Sequence, residues 1–158
     1  MTAPPPRSAD QRRQDTERLL EAAVDIWVAS ASSDGVPYLV PLSHHWDGQT
    51  LLLATSADSR TSQNLVTNGT VRLAVGHTRD LCLIDGTVEA LEMADLAPGR
   101  ADAFAAHAGF DPRTLTTRYL WLRVAPQRVQ AWREENEIAG RELMTNGRWT
   151  AGEDSTDA

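Results

Sequence analysis

The chain has no lysine: all 15 basic residues are arginines, set against 22 Asp and Glu, for a formal net charge of −7 over 158 residues. A general nucleic-acid binder needs a basic excess, so no nucleic-acid partner is expected. Any anion site must be assembled locally from arginine, hydroxyls and backbone N–H groups. Cysteine is nearly absent. A single residue, Cys82, excludes an intramolecular disulfide and a multi-cysteine metal cluster. Its setting in the apolar run Leu81-Cys82-Leu83-Ile84 predicts a buried structural thiol rather than a nucleophile. No apolar run approaches the roughly 18–20 residues that span a bilayer. Residues 1–10, rich in proline, lack the apolar stretch of a secretory signal. A cytoplasmic protein without a membrane partner is expected. There is no G-x-S-x-G elbow and no recognisable nucleophilic triad spacing, which leaves a hydrolase unsupported.

What is present reads as one domain over residues 10–149, between a disordered leader (1–9) and a disordered acidic tail (150–158). A helix is predicted over residues 10–24, with Leu19, Leu20, Ala23 and Val24 on its apolar face and arginines and acids opposite. Strands at 25–32, 38–46 and 50–55 are joined by turns at Ser33-Asp34-Gly35 and Asp47-Gly48, which makes an antiparallel meander. Pro41 lacks a ladder donor and marks an edge or a bulge in the second strand. A short helix runs from its N-cap Ser59 to an αL stop at Asn68-Gly69. Strands return at 70–77 and 81–91, and an alanine-rich helix follows at 98–108. A last strand spans 119–132, bent at Pro126, and Asn146-Gly147 turns a short hairpin arm. Short strands with tight turns predict a barrel or sandwich, and closure is favoured because it removes strand edges.

The passage Ala54-Thr55-Ser56-Ala57-Asp58-Ser59-Arg60-Thr61-Ser62-Gln63-Asn64 carries the chemistry. A strand leads into a hydroxyl-rich turn and then into a helix start bearing Arg60. Helix starts present unpaired N–H groups with partial positive charge, so this is a phosphate cradle by composition. A plainly capped helix with a solvated arginine fits the same residues.

The segment resembles the strand-Thr, Ser-Arg-Lys, amide signature of the pyridoxamine 5'-phosphate oxidase-like FMN-binding split barrels. Thr55, Ser59, Arg60 and Asn64 match it position by position, and Thr61 stands where the family has lysine. A second likeness is Leu122-Arg123-Val124-Ala125-Pro126-Gln127-Arg128-Val129-Gln130-Ala131-Trp132, similar to the family's final strand. The resemblance implies a mainly β fold with flanking helices, a six-stranded antiparallel split β-barrel. It also implies a homodimer with its cofactor, FMN or the deazaflavin coenzyme F420, at the interface. It assigns the cofactor phosphate to Thr55, Ser59, Arg60 and Asn64, with the Thr61 hydroxyl beside them in the lysine's place, the ring wall to Leu42 and Ser43, and a cover from the second subunit to Trp132. Trp132 also reads as an ordinary packing aromatic.

The likeness has limits. Where pyridoxamine phosphate oxidases carry R-L-H-x-R to grip a phosphorylated substrate, this chain has Arg133-Glu134-Glu135-Asn136-Glu137, and such acids repel phosphate. A flavin- or deazaflavin-dependent oxidoreductase acting on another small molecule is therefore expected. The alternative is a non-catalytic flavin- or haem-binding carrier on the same fold. His44 is either close to the ring, where it hydrogen-bonds or donates a proton, or a surface histidine near the turn. His44 and His45 point to opposite faces of a strand and cannot share one ion, so no metal site is expected. Arg72, Arg79 and Arg128 are candidates for the acidic tail of F420. Glu89 and Glu92 read as a solvated strand face.

Overall fold

The computed structural model describes residues 2–150. Six strands close into an antiparallel barrel: β1 (Asp25–Ala31), β2 (Pro37–Trp46), β3 (Leu51–Ser56), β4 (Thr70–His77), β5 (Asp80–Glu92) and β6 (Tyr119–Arg133). Their order around the wall is β3-β2-β1-β4-β5-β6, and β3 pairs with β6 to complete it. The Asn146-Gly147 turn, with both residues at positive φ, folds β7 (Glu142–Thr145) and β8 (Arg148–Trp149) into an arm on β6. Three helices flank the barrel: α1 (Ala9–Ala22), α2 (Arg60–Asn68) and α3 (Pro98–Ala108).

Strand alternation decides what the wall encloses. Ile26, Val28, Leu51, Leu53, Leu73, Val75, Cys82, Ile84, Leu122 and Val124 point inward into one buried cluster. Cys82 is 1% exposed, and burial pushes its thiol up to about 12, so it is the structural thiol expected. On the outer side of β3 and β6, Leu52, Ala54 and Trp121 meet Phe104 of α3 in a second cluster. Phe104 stands edge-on to Trp121 at 5.1 Å. Leu20 of α1 and Leu65 of α2 both enter the main core. α1 covers the mouth near Gly76, while α2 covers the opposite one, where Asn64 donates to Ser30 Oγ at 3.0 Å.

The ladder between β5 and β6 shifts register between Asp85 and Gly86, opposite Pro126. That bulge bends both long strands and depends on glycine. A Cβ at position 86 would stand 2.5 Å from Val124 Cγ1 and 2.9 Å from the Ala125 carbonyl oxygen. Gly86→Ala is therefore expected to cost about 1–3 kcal/mol, and at roughly 2–4 °C per kcal/mol the loss is visible as a lowered melting temperature. An unchanged melt would show that the bulge tolerates a side chain.

The N-terminal region differs from expectation. α1 ends at Ala22 because Ala23 is extended and the Val24 carbonyl accepts from the His44 N–H, so Val24 is exposed and not on the apolar face. Arg12, expected on the polar face, is buried and donates to the Glu137 and Gly140 carbonyls at 2.9 and 3.1 Å. Where it is described, the expected leader makes bonds to the body of the fold. Asn136 donates to the Pro4 carbonyl at 2.8 Å, and the Arg7 guanidinium forks onto both oxygens of Glu137 at 3.0 and 2.8 Å. Residues 151–158 of the expected acidic tail lie outside the described residues, and Thr150 is bonded through its N–H to the Leu143 carbonyl.

Candidate functional site

β2 and β3 pair only over His44–Trp46 and Leu51–Leu53. Below that point β2 pairs with β1 alone and β3 with β6 alone, so the strands diverge and leave a wedge in the wall. Pro41 lies on this free edge, where its missing N–H costs no ladder bond. The turn after β3 sets the start of α2 in the same region. Ser59 is the N-cap: its hydroxyl accepts from the Ser62 N–H at 3.1 Å, and Ser62 Oγ donates to the Ser56 carbonyl at 2.7 Å. The N–H groups of Arg60 and Thr61 come too early in the helix to find an intrahelical acceptor.

Arg60 is exposed, and its guanidinium lies 5.6 Å above the ring of Tyr38, on the free edge of β2. Among the described residues it makes no ion pair. Thr55, the next-to-last residue of β3, is half-buried. Thr55, near the end of β3, and Ser59 and Arg60, at the start of α2, thus flank the one turn beside the wedge. Thr61 and Asn64 do not join them there, because they lie on the buried face of α2.

The remaining expected residues spread over both faces of the wall. Leu42 packs inward against the core, whereas Ser43 faces outward and donates to Asp25 Oδ1 at 2.9 Å. His44 is neither at the surface nor open to a ligand. It is 0% exposed, with Nε2 3.1 Å from the Leu20 carbonyl oxygen, and burial lowers its pKa. Trp132 lies on the outward face of β6, half-buried, with the Arg141 guanidinium 5.7 Å from its ring. Thr55 pairs with Leu120, twelve residues earlier on the same strand, or about 40 Å of extended chain away. A single protomer therefore does not join Trp132 to Arg60.

Charge pairing was invisible in the sequence. Arg72, Arg79 and Arg128 bond to Asp85, Glu134 and Glu142. Arg123 and Arg118 cover Glu89 and Glu92, so the glutamates form an exposed, ion-paired face. The acids after Trp132 do not form an open repulsive patch, because Glu134 pairs with Arg79 and Glu137 is buried against Arg7. Tyr38 was missed because 22 positions separate it from Arg60, and only the strand register puts them side by side. Among the described residues no three potential ligands are placed to hold a metal, and no helix is long and apolar enough to cross a membrane.

A closed six-stranded barrel split between β2 and β3, with a helix start in the split, defines the split-barrel class. Residues 14–133 match the family model for pyridoxamine 5'-phosphate oxidase, and the chain belongs to that family. Among solved structures it is similar to an F420 reductase, at 20% identity over 72% of this chain and 94% of the other, with a TM-score of 0.58. It is also similar to HupZ of Group A Streptococcus, at 18% identity, 77% and 94% coverage and a TM-score of 0.60. A third is HutZ, the haem storage protein of Vibrio cholerae, at 12% identity, 87% and 99% coverage and a TM-score of 0.61. At these identities the likeness shows the fold alone. By sequence, no curated protein matches the chain.

Proposed function

We propose that the protein is a homodimeric oxidoreductase that binds FMN or coenzyme F420 at the wedge between β2 and β3. One observation carries this reading: an arginine without an ion pair, Arg60, sits at a helix start in the split of the barrel. Most arginines of this chain are held by carboxylates, so an uncommitted one beside free N–H groups is a prepared anion site. Arg60, the N–H groups of Arg60 and Thr61, and the Thr55 hydroxyl take the phosphate oxygens. Ser43 is the ring-edge hydrogen-bonding partner, with Leu42 backing the wall from inside, and Trp132 of the second copy covers the ring. The cofactor supplies hydride or two-electron chemistry toward a small organic substrate, while the chain binds, orients and excludes water.

The two cofactors make different demands. The three arginines expected to meet the acidic tail of F420, Arg72, Arg79 and Arg128, are all paired already, so binding there displaces a carboxylate. FMN makes no such demand. The test is an absorption spectrum of the purified protein followed by separate titrations with FMN and F420. Losing a charge-assisted phosphate contact of about 1.5–3 kcal/mol predicts that Arg60→Ala binds the accepted cofactor roughly 10–150-fold more weakly. Equal affinity in the variant would remove the anion site. A Soret band, or bound flavin without turnover, would favour the carrier reading.

A further inference from the structure

Three imidazoles meet where α1, β2 and α3 join, and none of them serves the wedge. His44 points Nε2 at the Leu20 carbonyl at 3.1 Å, and His107 of α3 points Nε2 at the Ala23 carbonyl at 2.8 Å. Both acceptors belong to the C-terminal end of α1, where helical carbonyls lack intrahelical donors. These bonds put the hydrogen on Nε2 of each ring. Nδ1 of His44 is then a bare acceptor, fully buried and without a partner. The ring of His107 stands edge-on to those of His44 and His45, at 6.2 and 5.6 Å.

Among the described residues, the surroundings offer no counter-charge to a protonated His44. From α3 the cluster faces Arg100, which donates to His45 Nδ1. From the end of β2 it faces Asp47, already held by Arg100 at 3.4 Å and by the Gln49 and Thr50 N–H groups. α1 and the residues after it present carbonyls, that of Val24 being taken by the His44 N–H. Asp25 is turned outward onto Ser43, and β3 presents Leu53. Beneath α1 a cavity of about 550 Å³ reaches from Thr16 and Leu19 to Cys82 and Ala131.

We propose that His44, His45 and His107 form a latch that holds the C-terminal half of α1 on the barrel mouth at neutral pH and releases it in mild acid. A proton on His44 Nδ1 creates a buried donor with no acceptor and places a cation beside two imidazoles and Arg100. Burial lowers the pKa of both His44 and His45. With folded values below the unfolded 6.5, the closed latch is fully stable above pH 6.5 and weakens as pH falls through the folded values.

Cys82 reports the opening, being the only thiol and lying against the cavity that α1 covers. The experiment labels the full chain with 4,4'-dithiodipyridine from pH 8 to pH 5, each rate divided by that of the denatured chain at the same pH. The normalised rate is expected to be flat above pH 7 and to rise by up to about tenfold per titrating histidine between pH 6.5 and 5.5. Amide exchange should rise in α1 and not in β4–β6. His44→Gln, which keeps a donor for Leu20 without a titratable ring, should flatten the profile. His107→Gln, which keeps a donor for the Ala23 carbonyl and leaves the His44 ring in place, should keep the rise and so separates the His44 effect from a general loosening of α1. A flat wild-type profile would overturn the latch. So would an undiminished rise in His44→Gln, or exchange rising equally in the strands.

Discussion

Replacing Glu137 with glutamine is expected to lower stability by about 3–5 kcal/mol, the usual cost of breaking one side of a buried ion pair. Glu137 is 0% exposed, and its carboxylate accepts from the Arg7 N–H at 2.8 Å, the Arg7 guanidinium and the Arg133 N–H at 2.6 Å. A glutamine there turns an N–H₂ group toward donors and leaves Arg7 with Asp15 and Asp80 as its carboxylate partners. At roughly 2–4 °C per kcal/mol the melting temperature at pH 7 should fall by about 6–20 °C. The acid limb gives an independent check. Burial alone would raise the Glu137 carboxyl, but bonds from the Arg7 side chain, then from the Arg7 and Arg133 N–H groups, outweigh it and hold the pKa at about 2. The folded value lies below the unfolded 4.5, so this stability is present above pH 4.5 and is lost as pH falls toward 2. It amounts to roughly 3 kcal/mol. Glu137→Gln should lack that share of the acid sensitivity. Wild-type and variant stabilities running parallel between pH 5 and pH 2 would show that the carboxylate is not held as described.

Position 137 also shows why part of the fold was illegible in the sequence. The meander was legible because Asp34-Gly35 and Asp47-Gly48 are local turn chemistry, and the bend of the last strand because Pro126 punctuates it. Ser59 and Gly69 likewise announced both ends of α2 from within a few residues. What stayed hidden depends on pairs far apart in the chain. Arg7 and Glu137 are 130 positions apart, so a run of acids after Trp132 looked like an exposed repulsive patch. His44 looked superficial beside a turn, yet the end of α1 folds back over it. Within α2, hydroxyl and amide residues fit a phosphate site by composition, and only the helix's orientation separates Arg60 outside from Thr61 and Asn64 inside.

The outward face of the wall yields the second large effect. Register aligns Pro41, Trp27, Ala74 and Leu83 in one row across β2, β1, β4 and β5. The neighbouring row on one side holds Leu39 and Ala29 and runs on into the Arg72–Asp85 ion pair, and that on the other holds Gly76, Leu81 and Trp132. Trp27 is 50% exposed and Leu39 59%, an apolar centre with an ion pair at its rim, the pattern of an association surface. Trp132 shares this face, and no single chain brings it to Arg60, so packing two copies through the face accounts for both facts in the proposed dimer. Trp27→Glu puts a carboxylate at the centre of the patch and removes an aromatic anchor, each worth about 2 kcal/mol or more at an interface. Self-association should weaken at least about 100-fold, read by sedimentation equilibrium across a protein dilution series. Because half of Trp27 is already in water, the circular dichroism should be unchanged, and cofactor binding should fall in parallel with the dimer. A variant that sediments like the wild type would place the subunit contact on another surface. A monomer that still binds cofactor at full affinity would leave Trp132 outside the site.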